Sequence, residues 1–434
     1  MGDDTEESST DEAALDQSHA ASTPVAQATL FERARAASEA GHPILTIVVF
    51  WLALIWGLAF YIRGYHSYGR WEPWNVGDWL IGYQGGFVRR GLIGQVVFEL
   101  GRHGPKIPPP ASIFFIQVLL VLLSAIGITL LARAKRDRWL PWMVLSPAGL
   151  LFFITNRRFI VTSKIGSAIF KNYGAGGMRK EILLFVIVVA LALAIGRSRR
   201  TRWILVGLAL VAYLVEMLSW EAAAFFLPIL FVLLAAALRD ETRDLRNAAL
   251  GVLVALSAGG LLLSVIVPGS ATQAGQICTS YGQWGAPTNR LCTGAIFALS
   301  DSLSSQVHQV GTNFPHYLLY VLTYALCLVP FALSGWLARH WRLFLIVVAA
   351  SLPLYFIGTD YGRWIHTTIV LLTIHWLVLD ERTEPPRDFV PFWVRDLLLI
   401  PWFGAWSLPY FSIPIRFGGL FAQVGHSLRR LVGR

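Results

Sequence analysis

The chain has 434 residues, 55% of them apolar and only 14% charged, against about 25% charged in an ordinary soluble domain. This deficit, joined to long apolar runs, excludes a soluble globular enzyme and predicts an all-α, polytopic membrane protein. The formal charge is +10. No segment reads as a nucleic-acid domain, because the basic residues track the ends of apolar runs.

Residues 1–42 are predicted to be a disordered, acidic, cytoplasmic tail. Nine acids and two arginines (Arg33, Arg35) fall before the first apolar run, and the Ser, Thr and Ala around them have little to pack. The tail lacks a basic signal-peptide n-region, so the first apolar run reads as an uncleaved anchor. Without the tail, 34 basic and 17 acidic residues remain.

A transmembrane domain is predicted over residues 43–415. The first span, about 43–61, leaves the cytoplasm because Arg33 and Arg35 precede it. A long outer loop, about 62–111, follows. The second span (about 112–131) returns to "ARAKRDR", and a shorter third (about 139–155) leads to a second outer loop, 156–181. The fourth (about 182–196) returns to "RSRRTR". The fifth and sixth form a hairpin turning outside at Trp220–Glu221, followed inside by "RDETRDLR". The seventh (about 247–267) reaches a third outer loop, 268–313, and the eighth (about 314–336) ends at "LARHWR". The ninth (about 342–357) exits at "GTDYGRW", and the tenth (about 364–379) returns to "DERTEPPRD". Residues 396–415 are a possible eleventh span, interrupted by Pro401, Pro409 and Pro414, before a basic tail at 416–434. The expected count is ten or eleven spans, with additional helices lying on the outer face.

Cys278 and Cys292 share the third outer loop. Disulfides persist in oxidising compartments, so the two are predicted to pair. Cys327 lies within a span with no obvious partner.

The outer segments are unexpectedly basic, against the rule that Lys and Arg mark the inside. Loop one holds Arg63, Arg70, Arg89, Arg90, Arg102 and Lys106. Loop two holds Arg157, Arg158, Lys164, Lys171, Arg179 and Lys180, and Arg363 lies at the last outer turn. An anionic ligand such as a lipid-carrier phosphate would compensate them, and the planar Arg fork grips phosphate with two bonds. Carboxylates converge on the same face: Asp78, Glu181, Glu216, Glu221 and Asp360. Ionisable groups at membrane depth are functional candidates by default. Pairing of Glu221 with an outer arginine purely to fix the fold is an equally open reading. Asp360 and Arg363, three residues apart, can pair at a helix start.

Asp78 opens the stretch "DWLIGYQGGFVRRGLIG". Its glycines permit sharp turns or close approach to a ligand. "GGFVRRGLIGQVVFEL" reads as an amphipathic surface helix, placing Asp78 beside the Arg89–Arg90 pair. No HExxH, P-loop, GxSxG or paired CxxC is present, so no metal or cofactor is expected. His366 and His375 are nine apart and read as packing or hydrogen-bonding residues.

This arrangement resembles the C-type glycosyltransferases, polytopic enzymes that use polyprenyl-phosphate sugars on the extracytoplasmic face. In them a long first outer loop carries an acidic catalytic residue and surface-lying helices. Asp78 occupies the matching place, with Glu72 as a second choice; the paired acidic motif common in that superfamily is absent. The resemblance implies Asp78 as general base, with Glu221 a further candidate catalytic carboxylate. Arg89, Arg90, Arg179, Lys180, Glu181, Asp360 and Arg363 would line the substrate site. The implied partners are a polyprenyl-phosphate sugar, a glycan or lipid acceptor and the bilayer, in a bacterial inner membrane. An O-antigen-type polymerase or ligase, and a lipid-linked substrate transporter, remain alternatives.

Overall fold

The computed structural model describes residues 32, 42–68, 71–104, 107–151, 178–312, 314–380, 391–408, 416–417 and 419–432. Most of the acidic tail and of loop two, including Arg157, Arg158, Lys164 and Lys171, lies outside the described residues, as do Arg70, Lys106, Pro409 and Pro414.

The apolar runs become helices. Proline opens several of them, where its missing N–H costs nothing: α1 (Pro43–Tyr68) starts on Pro43, and α3 (Pro109–Ala134) starts on Pro109–Pro110. Between them lies the short helix α2 (Leu92–His103). After α3 come α4 (Leu140–Val144), α5 (Glu181–Ala194) and α6 (Arg199–Met217). A 3₁₀ turn, Glu221–Phe226, leads into α7 (Leu227–Ala237), and α8 (Arg243–Ile266) follows. The third outer loop folds into α9 (Ala271–Ser280), α10 (Thr288–Leu291) and α11 (Leu303–Thr312), stapled by a Cys278–Cys292 disulfide. The chain closes with α12 (Phe314–Leu333), α13 (Trp336–Arg339), α14 (Trp341–Ile357), α15 (Tyr361–Leu379) and α16 (Phe392–Gly404). A two-residue antiparallel pair, β1 (Trp406–Ser407) on β2 (Arg416–Phe417), then leads to α17 (Gly419–Val432).

Among the described residues, four helical segments are long and apolar enough to cross a membrane: Pro43–Arg63, Pro109–Ala134, Arg243–Ile266 and Tyr361–Leu379. Four shorter apolar segments accompany them: Glu181–Ala194, Glu221–Ala237, Leu318–Leu333 and Trp341–Ile357. Helix α15 is central, with every residue from Tyr361 to Leu377 buried. Three of its threonines are satisfied locally. Thr367, Thr368 and Thr373 donate to the carbonyls four residues earlier, which removes the cost of an unpaired hydroxyl in an apolar interior. His366 Nδ1 meets the Ala148 carbonyl at 3.0 Å, and His375 Nδ1 accepts from the Trp336 indole at 3.3 Å. Both histidines therefore pack and hydrogen-bond, as the sequence predicts. Cys327 is buried and unpaired by any disulfide.

Three expected elements differ. The third span begins only as the five-residue α4, then turns through residues 145–151 instead of continuing as helix. The eleventh span is replaced by α16, whose 13 residues reach about 20 Å, short of the ~30 Å apolar core; Pro401 falls inside it and the strand pair follows at once. The helix in loop one starts at Leu92, because Arg90 adopts a left-handed backbone (φ 66°) that no helix can contain.

Ion pairs sort the chain into two ends. Arg202 and Arg199 of "RSRRTR" pair with Asp240 and Glu241 of "RDETR". Lys135, at the end of α3, donates to the Asp380 carbonyl, and Arg339 and His340 hold the Asp380 carboxylate. Burial opposes the Asp380 charge, but His340, Arg339 and Lys135 hold its carboxyl below the usual range. The charge pattern assigns all these segments to one side. The pairs at the opposite end join only segments assigned to the other.

Candidate functional site

Loop one builds the floor of that opposite end. The Glu72 carboxylate accepts the Trp74 and Asn75 backbone N–H groups, turning the chain so that residues 76–80 coil inward. Trp79 is fully buried and its indole donates to the Met178 carbonyl at 3.0 Å. Gln117 of α3 donates to the same carbonyl and to Asn75. These bonds tie loop one to residues 178–180, where Arg179 and Lys180 precede α5. Glu72 thus shapes the loop.

Asp78 lies at the junction, 1% exposed. Its Oδ2 accepts from Arg179 Nε at 3.3 Å, and Arg179 Nη1 reaches Asp360 at 2.8 Å. Arg363 lies 3.6 Å from Asp360 and donates from Nε to Glu181 at 2.8 Å. The Arg363 guanidinium also stacks near the Trp220 and Trp364 rings, 4.9 and 5.3 Å from their centres. One chain of alternating charges therefore runs Asp78–Arg179–Asp360–Arg363–Glu181.

A second cluster adjoins it. Arg90 grips Glu221 through both Nε and Nη2, and Arg89 stands 3.7 Å from the same carboxylate. Lys180 Nζ donates to the Arg90 carbonyl at 2.8 Å. Asp78, expected beside the Arg89–Arg90 pair, has Arg179 as its direct partner, while Arg90, within electrostatic reach of Asp78, pairs with Glu221. The structural reading of Glu221 is the geometry seen, which gives no role in catalysis by itself. The glycines are also accounted for by the protein: a Cβ on Gly94 would strike the Ile81 carbonyl, and one on Gly91 would strike the Tyr83 ring.

All nine predicted site residues thus meet at one end: Asp78, Arg89, Arg90, Arg179, Lys180, Glu181, Glu221, Asp360 and Arg363. Glu216 joins them. It is fully buried, within electrostatic reach of Lys180, Arg363 and Asp78. Neither of its carboxylate oxygens has a hydrogen-bond partner among the described residues, and Asp78 Oδ1 likewise has none. Buried polar atoms are nearly always paired, so these three oxygens are the chemically available ones.

The field around Asp78 is cationic. Burial alone would raise its carboxyl, but Arg179, Lys180, Arg363 and Arg90 together hold it well below the usual carboxylate range. Burial pulls the Lys180 ammonium down to about 8 although Asp78 attracts its charge. Burial opposes the Arg90 charge, and Glu221 more than offsets it, so Arg90 is held above its ordinary value.

The cluster opens outward beside Arg89, Arg90 and Glu221, in a shallow groove completed by Phe87, Met217, Leu218, Gly260, Leu263 and Ser264. Phe87 and Leu263 are exposed, giving the groove an apolar lip beside its charges. Among the described residues, no group of three or more His, Cys, Asp or Glu side chains is placed to hold a metal ion. The sequence reading missed the Trp79 and Gln117 bonds, the ring cradle of Arg363, and Tyr281, whose hydroxyl donates to the Leu80 carbonyl at 2.9 Å. The hydrogen-bond partners of Trp79, Gln117 and Tyr281 are 42 to 201 residues distant, so no local pattern announces them. No family model, curated protein or solved structure matches this chain.

Proposed function

We propose that the chain is a multi-pass membrane glycosyltransferase. It moves a sugar from a polyprenyl-phosphate donor to a glycan or lipid acceptor on the extracytoplasmic face of a bacterial inner membrane. The observation that carries this reading is Asp78: a buried carboxylate with one oxygen on Arg179 and the other without a hydrogen-bond partner among the described residues, inside a cluster of cations. Of the apolar segments expected from the sequence, those before α16 would cross the bilayer with shorter helices grouped around α15, and the N-terminus would be cytoplasmic.

The chemistry follows from the charges. The acceptor hydroxyl approaches Asp78 Oδ1, which takes its proton. The hydroxyl oxygen bonds to the anomeric carbon, and the bond from that carbon to the phosphate oxygen breaks, leaving its electron pair on the lipid phosphate. Arg89, whose Nε has no hydrogen-bond partner among the described residues, and Lys180 would balance that charge. The surrounding cations make Asp78 a weak base. A bound phosphate would draw on the same cations and raise Asp78's proton affinity, so donor binding itself prepares the base.

The test is transfer of label from a panel of polyprenyl-phosphate sugars by purified protein, with Asp78→Asn beside the wild type. Loss of a general base costs about 10²–10⁴-fold, so transfer should fall at least a hundredfold while folding persists. Unchanged transfer removes Asp78 from the mechanism. If no donor is consumed but lipid-linked oligosaccharides are lengthened or moved, a polymerase or ligase is the better reading.

A further inference from the structure

The C-terminal segment forms a unit of its own kind. Helix α16 is too short to span, yet Trp393, Leu397, Leu398 and Ile400 are all exposed apolar side chains. Helix α17 turns back on it: Gly404 lies against the Phe421 ring, and Gly419 packs on the carbonyls of Gly404 and Trp406. Phe417 is 81% exposed, and Phe421 and Leu428 are exposed as well. Phe421, Val424 and Leu428 recur at intervals of three and four, the spacing of one helical stripe. The same helix carries Arg429 and Arg430, and its only charged residues are basic.

The unit is anchored at a defined place. The Trp402 indole donates to the Trp142 carbonyl at 3.1 Å, and the rings of Trp139, Trp142, Trp402 and Trp406 follow one another at 5.2–6.0 Å. Trp139 directly follows "ARAKRDR", the segment whose Lys135 bonds to Asp380. The unit therefore sits at the end of the bundle opposite Asp78. The four tryptophans are buried and fasten the unit to the bundle; the short exposed apolar face and the basic amphipathic helix are together the physical signature of an element lying in a bilayer interface.

We propose that α16, the β1–β2 pair and α17 form a monotopic module, lying in the cytoplasmic-side interface and holding acidic phospholipid headgroups through the basic end of α17. The proposal rests on the membrane reading above but not on the glycosyltransferase reading. An apolar stripe alone would bind any bilayer. The arginines select an acidic one, since basic residues near an acidic leaflet each add appreciable attraction.

The experiment uses the full chain, reconstituted in phosphatidylcholine vesicles with or without phosphatidylglycerol. A fluorophore is attached at Leu428→Cys; Cys278 and Cys292 are bonded to each other and Cys327 is buried. Lipids brominated at shallow or deep acyl positions act as quenchers. Shallow quenching is expected to exceed deep quenching, and an impermeant thiol reagent should reach an Arg429→Cys variant only from the cytoplasmic side. Arg429→Glu with Arg430→Glu should lower the quenched fraction on the order of tenfold, and only with phosphatidylglycerol present. Deepest quenching at the bilayer centre would mean a span and overturn the proposal. So would absent quenching with Leu428→Cys chains cross-linking to each other, which would mean a second copy covers this face. Equal quenching with and without acidic lipid, unaffected by charge reversal, would overturn the headgroup assignment. Release of the protein by alkaline carbonate would instead refute the membrane reading itself.

Discussion

Arg90 holds Glu221 across 131 residues of sequence, with Nε 2.9 Å from both carboxylate oxygens and Nη2 2.7 Å from one. Arg90 does so from a left-handed backbone position (φ 66°), uncommon for a residue with a side chain. Lys180 holds the carbonyl of that strained residue. The turn between Phe87 and Leu92 is thus determined by partners on two other segments. Breaking a buried pair by removing one member costs about 3–5 kcal/mol, and partial exposure of Arg90 places this pair at the lower limit. Arg90→Met should lower stability by about 3 kcal/mol, with the Arg90→Met/Glu221→Met double variant recovering part of it. Thermal unfolding in detergent across the four proteins checks this; additive losses would mean the pair is not coupled.

Arg179 holds two carboxylates, Asp78 and Asp360. Asp78→Asn leaves it paired, which makes that variant a clean probe. Asp78→Asn combined with Asp360→Asn removes both of these carboxylate charges from the guanidinium and should destabilise by more than the two single changes together. A double-mutant cycle read by denaturation measures the excess.

Lys180 titrates near 8, below an ordinary lysine. The native state therefore releases its proton first, and between about 8 and the ordinary value the unfolded chain holds more protons. Stability must rise with pH across that window, because a buried ammonium is a cost that deprotonation removes. Lys180→Met should flatten the rise, measured as the difference in unfolding temperature between pH 7 and pH 10. If transfer needs the charged amine, wild-type activity falls above about pH 8, and Lys180→Arg extends it to higher pH.

The Cys278–Cys292 bridge closes a loop of 14 residues, worth about 3 kcal/mol in a chain-entropy account. The bridged segment and the residues flanking it support loop one directly: Tyr281 bonds to Leu80, Gln273 to Phe87, and the Ala295 N–H to the Pro73 carbonyl. Reduction, or Cys278→Ser with Cys292→Ser, should lower the unfolding temperature. Loop one should become susceptible to protease before the helices do.

Gly94 has no room for a side chain, since α2 crosses residues 80–81 there with backbone against backbone. Gly94→Ala should cost at least about 2 kcal/mol through the forced shift. Gly275→Ala meets nothing and serves as the neutral control in the same unfolding assay.

The amino-acid sequence by itself determined where the apolar helices lie and which segments share an end. Hydropathy and flanking charge are local properties, readable from a window of about twenty residues. The convergence of Asp78, Glu181, Glu221, Asp360 and the arginines was legible in the same way, because sidedness alone brings them to one face. Only the tertiary structure decided the partners: Asp78 with Arg179, Arg90 with Glu221, Arg363 with Glu181 at 182 residues' separation. It also stopped α4 after five residues and made α16 too short to span. Such pairings depend on the rotation and register of helices packed on α15. Those are set by the sum of many small contacts between distant segments, and no stretch of the chain encodes them alone.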